Sequence, residues 1–274
     1  MTAATAKTPL QADAPSRNRF AAQTMSHILP AILLMAAVLA AWEAIVRLAG
    51  VPEFVLPAPT QILRTLAERQ PQLLVASLVT GEEVLYGFAL SAAIGVALAL
   101  LIARYDRFGN ALYPLIVLFQ NVPKIALAPL FILWFGYDLL PKVALIVVIA
   151  FFPIALNMLV GLRAADPNLI ALLKSVGASR NEIMLRVQIP TSLPYLMAGM
   201  KVAITLSVIG AIVGEFSGAS AGLGYMIQFA STQMETSLVF AALVEVSVLG
   251  VLFYYAVEFV ERRFVAWAPN NQVE

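Results

Sequence analysis

The sequence predicts an all-α membrane protein of six transmembrane helices, and three observations carry that expectation. Of the 274 residues, 61% are hydrophobic and only 12% are charged, about half the charged fraction of an ordinary soluble domain. Mean hydropathy is +0.87. Six apolar stretches each reach the length of about 20 residues that a helix needs to cross a 30 Å hydrocarbon core.

The chain opens on a polar stretch rich in Ala, Thr and Ser with Lys7, Arg17 and Arg19, read as a disordered cytoplasmic tail over residues 1–25. His27 to Leu48 is the first apolar block. It exceeds the short core of a signal peptide and reads as a retained span. Pro57 and Pro59 then break the chain before an amphipathic stretch. Leu73 to about Ala103 is the second span, long enough for Glu82 and Glu83 to stand near the outer interface. Ala111–Trp134, Leu139–Leu162, Leu193–Val213 and Val239–Val260 are the third to sixth. The membrane domain thus covers residues 26–263, and residues 264–274 form a short C-terminal tail.

Charge orients these spans. With the N-terminus inside, the cytoplasmic segments hold eleven Lys and Arg residues, among them Arg104, Arg163, Lys174, Arg180 and Arg263. The outer segments hold four: Arg47, Arg64, Arg69 and Lys142. This positive-inside bias places both termini in the cytoplasm. The absence of cysteine and the single histidine exclude disulfides, thiolate metal sites and a histidine metal centre. The net charge of +1 gives no ground for nucleic-acid binding. Neither GxxxxGK[ST] nor HExxH occurs, so neither P-loop ATP binding nor a zinc-hydrolase site is expected in this chain.

The longest charged segment between two apolar blocks, Asp166 to Pro190, reads DPNLIALLKSVGASRNEIMLRVQIP. Asp166 is placed to cap a helix with Pro167 in its first turn. Leu169, Leu172, Leu173 and Val176 form an apolar stripe at helical spacing. Gly177 suits a left-handed helix end, and Ser179 with Glu182 makes a capping box for a second helix that stops at Pro190. The spacing predicts a stiff amphipathic elbow on the cytoplasmic side.

Further polar groups lie inside the spans. The third contains FQNVPKIALAPLF, with Gln120, Asn121 and Lys124 beside two prolines, and the fourth has Asn157 after Pro153. Intramembrane polar groups are costly and commonly face a cavity or partner. They read either as a broken, pathway-lining helix or as a kinked packing helix whose lysine snorkels. Lys201 reads as snorkelling to the inner surface, and Glu245 lacks an evident partner. Gly214, Gly218 and Gly222 recur every fourth residue around Glu215, and the intervening Ser217 and Ser220 favour a Gly-rich outer loop over a helix-packing face.

The elbow resembles the cytoplasmic loop of ABC importer permeases, EAA, three residues, Gly, nine residues, then I-x-L-P. Gly177 and Pro190 stand at that separation, with Val187 and Ile189 at the two aliphatic positions. Ala171, Leu172 and Leu173 replace Glu-Ala-Ala, removing a carboxylate that the family often places near the ATPase. LPAP after the first span, VPKIALAPLFILWFG, FFPIALNMLVGL and GEFSGASAGLGYMI extend the likeness over roughly residues 55 to 267, to the nitrate/sulfonate/taurine branch of type I ABC importer permeases.

The resemblance implies a MetI-like fold in a bacterial inner membrane. It implies a second permease copy, two ABC ATPase subunits carrying ATP and Mg, and an extracytoplasmic substrate-binding protein; the chain itself would carry no cofactor. Leu172, Leu173, Lys174, Val176, Gly177, Ala178, Ser179, Arg180 and Pro190 would couple to the ATPase. Gln120, Asn121, Lys124, Asn157 and Glu215 would line the pathway of a small anion, or of a vitamin precursor or aromatic acid. A gradient-driven transporter and a membrane scaffold are the rivals from other classes, and neither accounts for the elbow.

Overall fold

The computed structural model describes residues 17–105, 118–119 and 121–265, with side chains from residue 29 onward. Among these residues every regular element is helical. The chain divides after Thr60 into two compact units.

In the first unit, α1 (Arg17–Leu48) begins inside the stretch read as a disordered tail, so the helix extends ahead of the apolar block. Residues 1–16 lie outside the described range. The segment after α1 folds back on the end of that helix. Thr60 donates through its amide (3.0 Å) and hydroxyl (2.8 Å) to Glu43, and Arg47 pairs with Glu43 while donating to Thr60 Oγ1 at 3.0 Å. Pro57 and Pro59 thus end an irregular connection, and α2 (Pro59–Glu68) starts beyond it.

The second unit is built on α3 (Gln70–Arg104), α5 (Leu139–Arg163) and α8 (Ile189–Phe216). Ile146, Ala150, Ile154, Leu162, Ala203, Ile204 and Ala211 are buried between them. Small residues set the spacing, as expected where lipid supplies no hydrophobic force between helices. A Cβ on Gly161 would stand 2.7 Å from Ser192 Cα, and one on Gly199 would stand 2.8 Å from the Pro153 carbonyl oxygen. The α5 and α8 backbones therefore touch. By contrast α10 (Thr236–Phe264) shows an exposed apolar face, with Leu252, Tyr255 and Phe259 all outward.

Among the described residues, five helical stretches are long and apolar enough to cross a membrane: Leu29–Leu48, Gln70–Arg104, Leu139–Arg163, Arg180–Phe216 and Thr236–Phe264. The predicted third span is visible only in its second half. Leu118 and Phe119 are helical, the chain breaks at residues 121–123, a 3₁₀ turn spans Lys124–Leu127, and α4 covers Ala128–Phe135. Residues 111–117 and Gln120 lie outside the described range, as do residues 266–274 of the expected C-terminal tail.

One boundary differs from the sequence expectation. The second elbow helix does not stop at Pro190. α7 (Arg180–Ile183) runs through a π turn at Met184–Gln188 directly into α8, giving one helix from Arg180 to Phe216. A π turn widens the helix and relieves the clash of a proline ring with the carbonyl one turn back. Hydroxyls add donors on either side: Thr191 to the Val187 carbonyl and Ser192 to the Ile189 carbonyl, both at 2.8 Å. The predicted fifth span, Leu193–Val213, is thus the middle of a longer helix.

Candidate functional site

The elbow is formed by local chemistry. Asp166 accepts the Asn168 amide at 2.8 Å and starts α6 (Pro167–Ser175). That helix ends in a Schellman arrangement: the Ala178 amide donates to the Leu173 carbonyl and the Gly177 amide to the Lys174 carbonyl, with Gly177 at φ +81°. Ser179 Oγ accepts the Glu182 amide while Glu182 accepts the Ser179 amide at 2.8 Å, a complete capping box. Both ends of the turn are therefore fixed by hydrogen bonds.

The two faces of α6 differ. Leu169, Leu172 and Val176 are exposed, Val176 at 74%. Such a stripe is what a partner groove accepts from an amphipathic helix. Leu173 is half-buried, and Lys174, Ala178, Ser179 and Arg180 follow on the turn. The elbow is tied to the spans through Arg104 Nε, which donates to Asn181 Oδ1 at 3.1 Å, and through Gln188 Nε2, which reaches the Leu162 carbonyl at 3.4 Å. Pro190 lies beyond, inside the continuous helix.

A second polar centre sits inside the bundle, and the sequence reading placed only one of its members. Glu215, at the end of α8, is fully buried. It accepts the Thr80 hydroxyl of α3 at 2.6 Å and the amide of Gly224, while the Leu223 amide donates to Thr80 Oγ1 at 2.8 Å. These amides open α9 (Leu223–Thr232), so one carboxylate ties the end of α8, the start of α9 and α3 together. Residues 217–222 of the Gly-rich stretch accordingly form a turn, while Gly214 lies within α8 against the Lys142 stem. Gly222 takes φ +112° and packs its backbone on the Glu215 carboxylate, where any side chain would collide.

Beside this latch, Lys142 Nζ of α5 donates to Glu83 Oε1 of α3 at 2.5 Å, with Glu83 2% exposed. The second oxygen of Glu83 has no hydrogen-bond partner among the described residues. Glu83 and Lys142, which the sequence reading places near the outer interface and in an outer segment, are buried between α3 and α5. Their signal was present as opposite charges near the starts of two apolar spans, since such groups persist in a membrane helix when paired.

The remaining candidates lie apart from this cluster. Asn121 is exposed at the break in the third span. Lys124 is half-buried with its ammonium 5.3 Å from the centre of the Phe152 ring, a cation–π distance. Asn157 turns inward and donates to the Pro153 carbonyl at 2.8 Å, beside Gly199. Glu245 has its partner in Ser77, whose hydroxyl donates at 3.2 Å. Lys201 does not snorkel freely. It forms an ion pair with Glu261 of α10, both side chains about a quarter exposed. Replacing Glu261 by glutamine is expected to lower stability by about 1 kcal/mol or less, because partly solvated pairs contribute little. Thermal unfolding of the detergent-purified chain checks this, and a loss of several kcal/mol would mean the pair is dry.

Comparison with known proteins agrees with these features. Residues 91–266 match the model of the family described as binding-protein-dependent transport system inner membrane component. The formylaminopyrimidine transport permease ThiX of Halalkalibacterium halodurans is 37% identical over 231 residues, covering 84% of this chain and 92% of that protein. The putative aliphatic sulfonates transport permease SsuC of Bacillus subtilis is 31% identical over 247 residues, covering 88% of each. A solved inward-facing structure of the MetNI methionine ABC transporter has a chain that superposes with a TM-score of 0.63 at 18% identity, over 72% of this chain and 97% of that one. At that identity the likeness concerns the fold. The chain belongs to the family of binding-protein-dependent transport system inner membrane components, as a multi-pass permease subunit of the nitrate/sulfonate/taurine branch of type I ABC importers.

Proposed function

We propose that this permease forms the membrane pathway for a small organic or inorganic anion and couples it to ATP hydrolysis on two partner ATPase subunits. The observation that carries the coupling is the elbow: an exposed apolar stripe, Leu169, Leu172 and Val176, on a turn capped at both ends. Its charge distribution favours the cytoplasmic side, with both termini there as well. Leu172 to Arg180 would enter a groove on the ATPase, with Ala171 contributing no carboxylate to that contact. ATP would act by favouring the state in which the paired ATPases hold two elbows closer together. A second copy of this chain would supply the second elbow, and an extracytoplasmic binding protein would deliver solute.

Asn121, Lys124 and Asn157 mark the pathway in this reading, with Gln120 beside them in the sequence, and Lys124 supplies the cation that an anion would meet. Glu215, fully buried, would hold the outer turn closed in place of touching solute. A second reading, import of a vitamin precursor, is favoured by the 37% identity to a formylaminopyrimidine permease. Ligand screening on the binding protein that co-purifies with the chain separates the two.

Gly177→Val tests the coupling. A Cβ there meets nothing within 4 Å, so the substitution adds only the strain of φ +81°, about 1 kcal/mol or more. The bundle is expected to stay folded while solute-stimulated ATPase activity and uptake in proteoliposomes fall at least several-fold. Normal uptake at equal expression would remove the elbow from the mechanism.

A further inference from the structure

The Glu215 latch and the ion pair beside it leave one buried oxygen without a donor. Thr80 and Glu83 stand three residues apart on α3 and so share a face. Thr80 meets Glu215 of α8, and Glu83 meets Lys142 of α5. The Lys142 stem in turn packs on Gly214, the residue before Glu215. Two buried carboxyl groups are thereby gathered around one ammonium, within hydrogen-bonding reach of each other. The donors are spent: the ammonium on Glu83 Oε1, the Thr80 hydroxyl on Glu215 Oε1 and the Gly224 amide on Glu215 Oε2. Glu83 Oε2 receives none among the described residues. α9 brings backbone amides to the site, and on α10 Glu245 is engaged by Ser77, a turn earlier on α3. With both carboxyl groups ionised, an acceptor would face an acceptor and one negative charge would stand in excess, which a buried site does not tolerate.

We propose that Glu83 and Glu215 share one proton, so that the closed latch is a proton-binding site inside the bundle. A single proton between the two carboxyl groups supplies the missing donor and cancels the excess charge together. A metal cation suits the place less well, because the Lys142 ammonium on the same carboxyl group repels it and both oxygens of Glu215 are already engaged. The link to gating rests on the reading of Glu215 as the group that holds the outer turn closed. When the turn opens, the two carboxyl groups part. Glu83 stays balanced by Lys142, and Glu215 meets water, where a carboxyl group is ionised at neutral pH. The closed state therefore holds one proton more than the open state. Raising the pH favours opening and lowering it favours closure, by at most about tenfold per pH unit for one proton.

Infrared spectroscopy of the full-length chain in nonionic detergent at neutral pH reads the proton directly, as the C=O stretch of a protonated carboxyl group that shifts in heavy water. Wild type is expected to show this band. Glu83→Gln and Glu215→Gln each leave one carboxylate against Lys142, a balanced pair that needs no proton, so each variant is expected to lose the band. Glu82→Gln, at the exposed neighbouring position, is expected to keep it. Should Glu215→Gln fail to fold, Glu83→Gln alone gives the reading. A wild type without the band, or a band that survives in the glutamine variants, overturns the proposal. Absence of the band together with a thermal midpoint raised by sodium chloride but not by choline chloride would assign the excess charge to a metal cation and overturn it equally. Amide exchange over residues 217–226, corrected for the intrinsic effect of pH, then reads opening of the turn. Protection is expected to fall as pH rises in wild type, by at most about tenfold per pH unit, and to be independent of pH in Glu83→Gln. Flat exchange in a wild type that shows the band would leave the shared proton in place and remove Glu215 as the gate.

Discussion

Lys142→Met is expected to destabilise the permease by about 3–5 kcal/mol, the cost of removing one partner from a buried ion pair. Glu83 and Glu215 are 2% and 0% exposed, and Lys142 is the cation that meets Glu83. Methionine matches the lysine stem in volume, so the packing against Gly214, whose Cβ position lies 3.3 Å from that stem, is retained. What is lost is charge compensation. The double variant Lys142→Met/Glu83→Gln is therefore expected to recover most of the loss, since it removes the stranded carboxylate together with its partner. Denaturant unfolding of wild type, the two single variants and the double variant gives the coupling energy directly. A coupling below about 1 kcal/mol would show that water reaches the pair, as at exposed sites.

Gly199→Val is expected to cost about 3 kcal/mol, at the upper end of overpacking. Its Cβ would stand 2.8 Å from the Pro153 carbonyl oxygen, 2.9 Å from Asn157 Cβ and 3.3 Å from Ile154 Cα. Two of these three are backbone atoms, so no rotamer change relieves the contact and α8 must move off α5. The measurement is the thermal midpoint in detergent, with Gly250→Ala on α10 as the control. At Gly250 an added Cβ meets nothing within 4 Å, and alanine is the better helix former, so that variant is expected to be neutral or slightly stabilised. Similar losses in both would mean that close approach at Gly199 does not set the α5–α8 spacing.

The parts of this molecule legible in its sequence are those whose physics is local. The caps at Asp166 and Ser179 and the left-handed turn at Gly177 each need partners within five residues, and all are in place. Pro190 was misread because a local rule, that proline ends a helix, gave way to a π turn, which no single residue announces. The Glu83–Lys142 pair and the Thr80–Glu215 hydrogen bond join residues 59 and 135 positions apart. Hydrophobic periodicity marks each span but does not say which neighbour it packs beside. Their individual polarity was visible, and their convergence was not.

The continuous helix from Arg180 to Phe216 has a mechanical consequence. At 1.5 Å per residue, its 37 residues span about 55 Å, with the elbow at one end and the Glu215 latch at the other. Gly199, one of its points of close backbone approach to α5, falls near the middle. The geometry is that of a seesaw balanced on a glycine. A tilt of about 10° around that fulcrum displaces each end by on the order of 5 Å in opposite directions, more than the hydrogen bonds from Thr80 and Gly224 to Glu215 can span and remain formed.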